Sequence, residues 1–276
     1  MDAKMRPLFR TTLPSLSARL ALFVLPLISS AGTAADGAAR ILSVYHGLEE
    51  VTARAMRWCN RSAVEPQDGM PLVFSVQIDA DSVSPSAFAV LTSEGTRVTP
   101  LCATLRPALE SLEQRTVLLV GEFSPGDAAP ARVEVVGSLK DKQGNALTGL
   151  YSDKITALAE GPSLVFAEAL SPASAGLSGE CPARTEQAIQ LTWEGGVTGP
   201  MGTRLGEAQR TSVTILLENG RTVYPLSLGD DDPDNHVIVC LTQRSPAVSV
   251  SIEAGYFHDP GDDPNPATTV LVTANH

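Results

Sequence analysis

Aromatic side chains make up only 5% of this 276-residue chain, and just two of them are tryptophan. That scarcity argues against an extended aromatic platform for stacking sugars, since a lone Trp on or beside a strand usually packs in the core. Basic residues are also short, with 20 Lys+Arg against 31 Asp+Glu for a net charge of −11. Phosphate backbones need Lys and Arg, so nucleic acid is excluded as a partner, and the same deficit works against anionic membrane surfaces. Long apolar runs are missing. The best candidate, residues 20–28, contains Pro26 and falls far short of the roughly 20 residues that span a bilayer. Only four cysteines and four histidines occur, with no Cys-x₂-Cys spacing, which argues against structural zinc. Catalytic signatures are lacking too. The chain has no Gly-x-Ser-x-Gly elbow, no His-Glu-x-x-His and no Gly-rich phosphate loop leading from strand into helix. Nothing singles out a pair of carboxylates for glycoside hydrolysis. The expectation is a protein that is not an enzyme.

The N-terminus does carry a signal. Lys4, Arg6, Arg10 and Arg19 precede the apolar run, and Ser29-Ser-Ala-Gly-Thr-Ala-Ala35 follows it, the layout of a secretory signal peptide cleaved after Ala31, Ala34 or Ala35. Residues 1–35 take away those four basic groups and Asp2, leaving 16 basic against 30 acidic side chains, or −14. The mature chain is expected to be secreted or periplasmic, with no membrane span. Four cysteines in an exported chain are expected as disulfides.

A repeat organises the rest. Phe88-Ala-Val-Leu-Thr-Ser-Glu-Gly95 with Pro100 returns as Val213-Thr-Ile-Leu-Leu-Glu-Asn-Gly220 with Pro225, at a constant offset of 125. Each copy is followed by a cysteine phrase, Cys102-Ala-Thr-Leu-Arg-Pro107 and Cys240-Leu-Thr-Gln-Arg-Ser-Pro246, and then by Gly121-Glu-Phe123 and Gly255-Tyr-Phe257. Two copies of one small domain are implied. If Cys102 and Cys240 are equivalent, the pairing is Cys59–Cys102 and Cys181–Cys240. The spacing from Pro225 to Cys240 then reads as a thirteen-residue insertion relative to Pro100 and Cys102.

Short β-branched runs bounded by Gly, Pro, Asp and Ser fill both halves, as in Leu72-Val-Phe-Ser-Val-Gln-Ile78 and Ala188-Ile-Gln-Leu-Thr-Trp193. Glu94-Gly95 and Asn219-Gly220 mark hairpins, Asn-Gly being suited to a type I′ turn. Helical pattern is confined to Pro107-Ala-Leu-Glu-Ser-Leu-Glu-Gln114 and an ambiguous stretch at 46–57. The spacing of strands and turns indicates a β-sandwich. Phe74-Ser-Val-Gln-Ile-Asp79, Ser82-Val-Ser-Pro-Ser-Ala-Phe88 and the phrase from Val135 through Asp141, Gly144 and Asn145 to Gly149 resemble bacterial Ig-like domains of the S-layer-protein type, over residues 72–157. The chain as a whole resembles an uncharacterised family of exported bacterial proteins that share the cysteine phrases. The fold expected is all-β: two tandem Ig-like β-sandwich domains, residues 36–161 and 162–276, each with one intradomain disulfide. The resemblance carries no catalytic residue.

Two acidic loops of the second domain hold the candidate ligands. Asp230, Asp232, Asp234 and Asn235 have the alternating spacing of the first half of an EF-hand, but Leu241 stands where a bidentate Glu is needed. Asp259, Asp262 and Asp263 follow in the second loop. Clustered oxygen ligands suit calcium, and a site shared between the loops is one reading. Ordinary turn formers on an acidic surface are the other. His236 and His258 flank these loops as further candidate ligands. Trp193, followed by Glu194-Gly-Gly-Val-Thr-Gly-Pro200, is the candidate residue for a glycan. The leading expectation is a non-enzymatic interaction or structural module of the cell envelope, calcium-stabilised through the acidic loops and binding an envelope protein or glycan. The alternative is a carbohydrate-binding protein using Trp193.

Overall fold

The computed structural model describes residues 38–48, 67–110, 112–157, 159–170, 181–229 and 234–274. The expected signal peptide, Cys59, Asp230 and Asp232 lie outside these residues. Residues Ala39–His276 form one compact unit, and it is nearly all-β.

Among the described residues eight strands precede residue 160: β1 (Ile41–Val44), β2 (Asp68–Phe74), β3 (Phe88–Thr92), β4 (Arg97–Val98), β5 (Cys102–Thr104), β6 (Thr116–Gly121), β7 (Pro130–Val135) and β8 (Tyr151–Ser152). They form two four-stranded sheets, ordered β1-β2-β6-β5 and β4-β3-β7-β8. Eight more follow: β9 (Leu164–Leu170), β10 (Gln187–Trp193), β11 (Val213–Leu217), β12 (Thr222–Val223), β13 (Ser227–Gly229), β14 (His236–Leu241), β15 (Ala247–Ile252) and β16 (Thr268–Thr273). These make one sheet ordered β12-β11-β15-β16-β9-β10-β14-β13, antiparallel except where β16 meets β9. Among the described residues one short α-helix, α1 (Glu207–Ser212), leads into β11.

Burial follows from the period-2 geometry of strands. Met70, Leu72 and Phe74 of β2, with Val117 and Leu119 of β6, meet Phe88, Val90, Val133 and Val135 of the facing sheet in one apolar cluster. A second cluster draws Ile189, Leu191 and Trp193 of β10 and Val237, Val239 and Leu241 of β14 against Val213, Ile215 and Leu217 of β11 and Val250 and Ile252 of β15. Strands from both ends of the eight-stranded sheet share that core, so the sheet folds over on itself. The alternate residues of β10, namely Ala188, Gln190 and Thr192, are buried as well. The central strands therefore read as near-continuous apolar runs rather than clean alternation.

The hairpins fall where the repeated phrase places them, with a different turn. Thr92 N–H bonds to Thr96 O and Gly95 N–H to Thr92 O, and Leu217, Arg221 and Gly220 repeat both bonds. Gly95 and Gly220 take φ values of 81° and 80°, whereas Glu94 and Asn219 keep ordinary negative φ. This is a three-residue loop closed by a left-handed residue, not a two-residue type I′ turn. It explains why the glycine recurs while its predecessor changes.

The cysteine phrases do not occupy equivalent places. Cys102 opens β5 and faces Val120 of β6, whereas Cys240 lies on β14 and faces Ser227 of β13. The connection preceding β14 covers residues 230–235, against 105–115 before β6. The expected thirteen-residue insertion is thus corrected to a shorter connection. Cys181–Cys240 is nonetheless bonded, with Cα atoms 5.7 Å apart. Cys102 is buried and disulfide-bonded. The expected helix also gives way: residues 107–110 and 112–114 form bends and turns.

Candidate functional site: a polar seam between the two cores

Buried polar groups gather where the two cores meet, in two strips. In the first, Arg115 directly precedes β6, its carbonyl accepting the Phe74 N–H and so continuing the β2–β6 ladder. Its side chain is 4% exposed and donates from Nη2 to Glu168 Oε2 at 2.7 Å. Phe166 and Glu168 sit two residues apart on β9, which aims both at one face. The guanidinium accordingly lies 4.2 Å over the Phe166 ring. Burial lowers the Arg115 pKa while Glu168 holds it up, and the group stays charged.

Beside this pair, Asn235 donates from Nδ2 to Thr116 Oγ1 at 2.9 Å and to the Trp193 carbonyl at 2.8 Å. Asp234 Oδ1 accepts the His236 N–H at 2.6 Å. The His236 ring is buried, 3.3 Å from Thr192 Oγ1. Burial first and the Arg115 charge second push its pKa down to about 3, opposed by the backbone of Glu113.

The second strip surrounds Tyr45. Its hydroxyl donates towards Asp259 Oδ2 at 2.7 Å, with the Glu160 carbonyl a second acceptor at 2.9 Å. Burial, reinforced by Asp259, raises the Tyr45 pKa far above the usual phenol value. Gly47 and Gly195 flank the ring, where an added Cβ would lie 2.1 and 2.6 Å from its atoms. At Gly161 a Cβ would sit 1.9 Å from the Pro264 carbonyl oxygen. Glu194 accepts from Thr156 Oγ1 at 2.9 Å and from Ser163 N–H at 3.1 Å. Burial nonetheless leaves its pKa raised.

The described acidic-loop residues are engaged one by one. Asp234 and Asn235 are buried in the first strip. Asp259 is 2% exposed, bonded to Tyr45 and to the Asp263 N–H. Asp262, in the left-handed region at φ 69°, accepts the Met201 N–H at 2.6 Å and lies beside the His258 ring. Among the described residues no group of three or more His, Cys, Asp or Glu could hold a metal ion.

Trp193 is fully buried, its ring centroid 4.6 Å from that of Phe257. With both faces in the core it offers no platform for a sugar, which corrects the glycan reading of this residue. Sequence reasoning missed Arg115, Glu168, Tyr45 and Glu194. The one available signal was a charged residue set against an apolar run, as in Arg115-Thr-Val-Leu-Leu-Val120.

What the seam can do chemically is join. Its carboxylates and donors face one another. No helix of the described residues is long and apolar enough to cross a membrane. No protein-family model and no curated protein matches this chain.

Proposed function

We propose that the chain is a non-enzymatic exported module of the cell envelope, structural or adhesive, built as two tandem Ig-like β-sandwiches held at a fixed angle. The observation that carries this reading is the seam: Arg115–Glu168, Asn235–Thr116, Tyr45–Asp259 and Glu194–Thr156 each pair a group before residue 160 with one after it. A catalytic cleft between domains leaves polar groups turned towards a substrate, whereas these are turned towards each other. The strand order supports the tandem. The steps β1-β2-β6-β5 and β4-β3-β7-β8 recur as β9-β10-β14-β13 and β12-β11-β15-β16.

Export is tested by expressing the full chain with a C-terminal tag and fractionating cells. The reading expects a processed chain, shortened by about 35 residues as a secretory signal implies, in the envelope or medium, cross-linking to envelope components. An unprocessed chain retained in the cytoplasm overturns it.

A further inference from the structure

We infer that Asn219 is a self-modifying site: its carboxamide converts to Asp and isoAsp through a cyclic imide with the Gly220 backbone, and the isoAsp product unfastens β12 from β11. Four asparagines lie among the described residues, at 145, 219, 235 and 265. Three of them have Nδ2 held. Asn145 donates to Asp141 Oδ2 at 2.8 Å, Asn235 to Thr116 Oγ1 and the Trp193 carbonyl, and Asn265 to the carbonyls of Glu253 and Pro266. Asn265 also precedes a proline, which has no N–H to react. Asn219 is exposed at the hairpin tip and is the one followed by glycine. Its side chain bonds only through Oδ1, which accepts the Arg221 N–H at 3.1 Å, so Nδ2 is free to leave. Gly220 brings its nitrogen with no Cβ to hinder it, and the space around it is open. In the step, that nitrogen gives its proton to water or hydroxide and bonds to Asn219 Cγ. The Arg221 N–H stabilises the negative charge that develops on Oδ1. The Cγ–Nδ2 bond then breaks and Nδ2 takes a proton from water, leaving as ammonia. Water opens the imide at one carbonyl or the other, giving isoAsp or Asp.

The fold sets the pace. Gly220 N–H is tied to the Leu217 carbonyl at 2.9 Å, and that bond must be released before the nitrogen can lose its proton to solvent. The hairpin tip therefore has to open first, a local event of lower free energy than global unfolding. The β3–β4 hairpin repeats the same backbone bonds but carries Glu94 where this one has Asn219, and has no amide to lose. The product acts on the element. IsoAsp runs the chain through its own side-chain carbon and so adds one backbone atom to the loop. The Leu217–Arg221 and Gly220–Leu217 bonds that close the loop are then no longer both met. β12 is an edge strand paired to β11 through Thr222 and Val223 alone, and Val223 packs in the second core. Its release bares the edge of β11 and loosens that corner of the core.

The test ages the full chain in mildly alkaline buffer, folded and in denaturant. Peptide mass spectrometry locates the conversion, and an isoaspartyl-specific methyltransferase scores isoAsp. In the folded chain, conversion among the four asparagines should be confined to Asn219 and give both Asp and isoAsp. It should run about ten- to a hundredfold slower than in denaturant, the gap set by opening of the hairpin tip. Asn219→Gln, whose imide would need a larger ring, should not convert. The isoAsp fraction, separated by ion exchange, should melt a few degrees below fresh protein. Freshly prepared Asn219→Asp adds the charge without the extra backbone atom and should melt with wild type. A folded chain whose Asn219 stays intact, or that yields Asp alone, overturns the site. Equal rates in the folded and denatured chains overturn the gate. An isoAsp fraction that melts with fresh protein, or an Asn219→Asp variant that melts as low as that fraction, overturns the unfastening of β12.

Discussion

Glu194 holds a carboxylate between two donors, Thr156 Oγ1–H and Ser163 N–H, in a site where only 5% of the residue reaches solvent. Burial raises its pKa more than the donors lower it. A carboxyl that keeps its proton more firmly when folded contributes stability in full below the ordinary carboxylate range, and that contribution is lost as pH rises through the raised value. Glu194→Gln should remove this loss. The amide fits the site, with Oε1 accepting from Ser163 and Nε2 donating to Thr156 Oγ1, which can turn to accept. Thermal unfolding from pH 4 to 8 should show the variant melting a few degrees above wild type at the alkaline end, the gap closing towards pH 4. Parallel curves would refute the assignment. His236 acts at the other end of the scale: its folded pKa near 3 means stability present above the ordinary histidine value and lost as pH falls. As pH falls the two groups therefore act on the seam in opposite senses, Glu194 adding stability and His236 removing it.

The element best suited to a test of turn geometry is the β11–β12 hairpin, where Gly220 at φ 80° bears the conformational demand and Asn219 does not. Gly220→Ala should cost about 1 kcal/mol in denaturant unfolding, the usual penalty for a side chain in left-handed backbone. Gly220→Asn should cost less, because Asn tolerates that region. Asn219→Gly should bring no gain, whereas a type I′ turn would favour it, so a stabilised Asn219→Gly would restore the turn expected from sequence. The same hairpin shows what was legible. Gly95 and Gly220 recur because backbone geometry requires them, and β3 with β11, and β4 with β12, keep the offset of 125 throughout. Cys102 and Cys240 recur in similar phrases for no such reason, so their likeness misled: they lie on neighbouring, not matching, strands of the order. The Cys181–Cys240 pairing expected from them was still met. The Pro107–Gln114 segment has helical composition but no apolar stripe paired with a partner surface, and composition alone does not hold so short a helix. The seam was largely illegible, since a buried Arg, Glu or His looks on paper like any solvated one. Only the fold brings Arg115 to Glu168 across 53 residues of chain.

At the scale of the whole molecule, Arg115–Glu168 links the residue that leads into β6 of the first core to β9 of the second, so its worth lies in coupling as much as in stability. Replacing Arg115 with Met leaves the Glu168 carboxylate uncompensated in a site where its side chain is 16% exposed. Removal of one partner of a buried pair costs about 3–5 kcal/mol; the residual exposure of Glu168 points to the lower end. Arg115→Met with Glu168→Leu removes both charges, and the Met sulfur retains contact with the Phe166 ring. The double variant should therefore recover most of the loss. A double-mutant cycle isolates the pair term, and calorimetry isolates the coupling. Wild type should unfold in one transition, because the two cores are latched. Arg115→Met should broaden it or split it into two, as each core then melts with its own stability. If the single variant still unfolds in one sharp transition while losing its full stability, the pair stabilises one core only. The fixed angle proposed for the module would then rest on Tyr45, Asp259 and the close approach of Gly161 to Pro264.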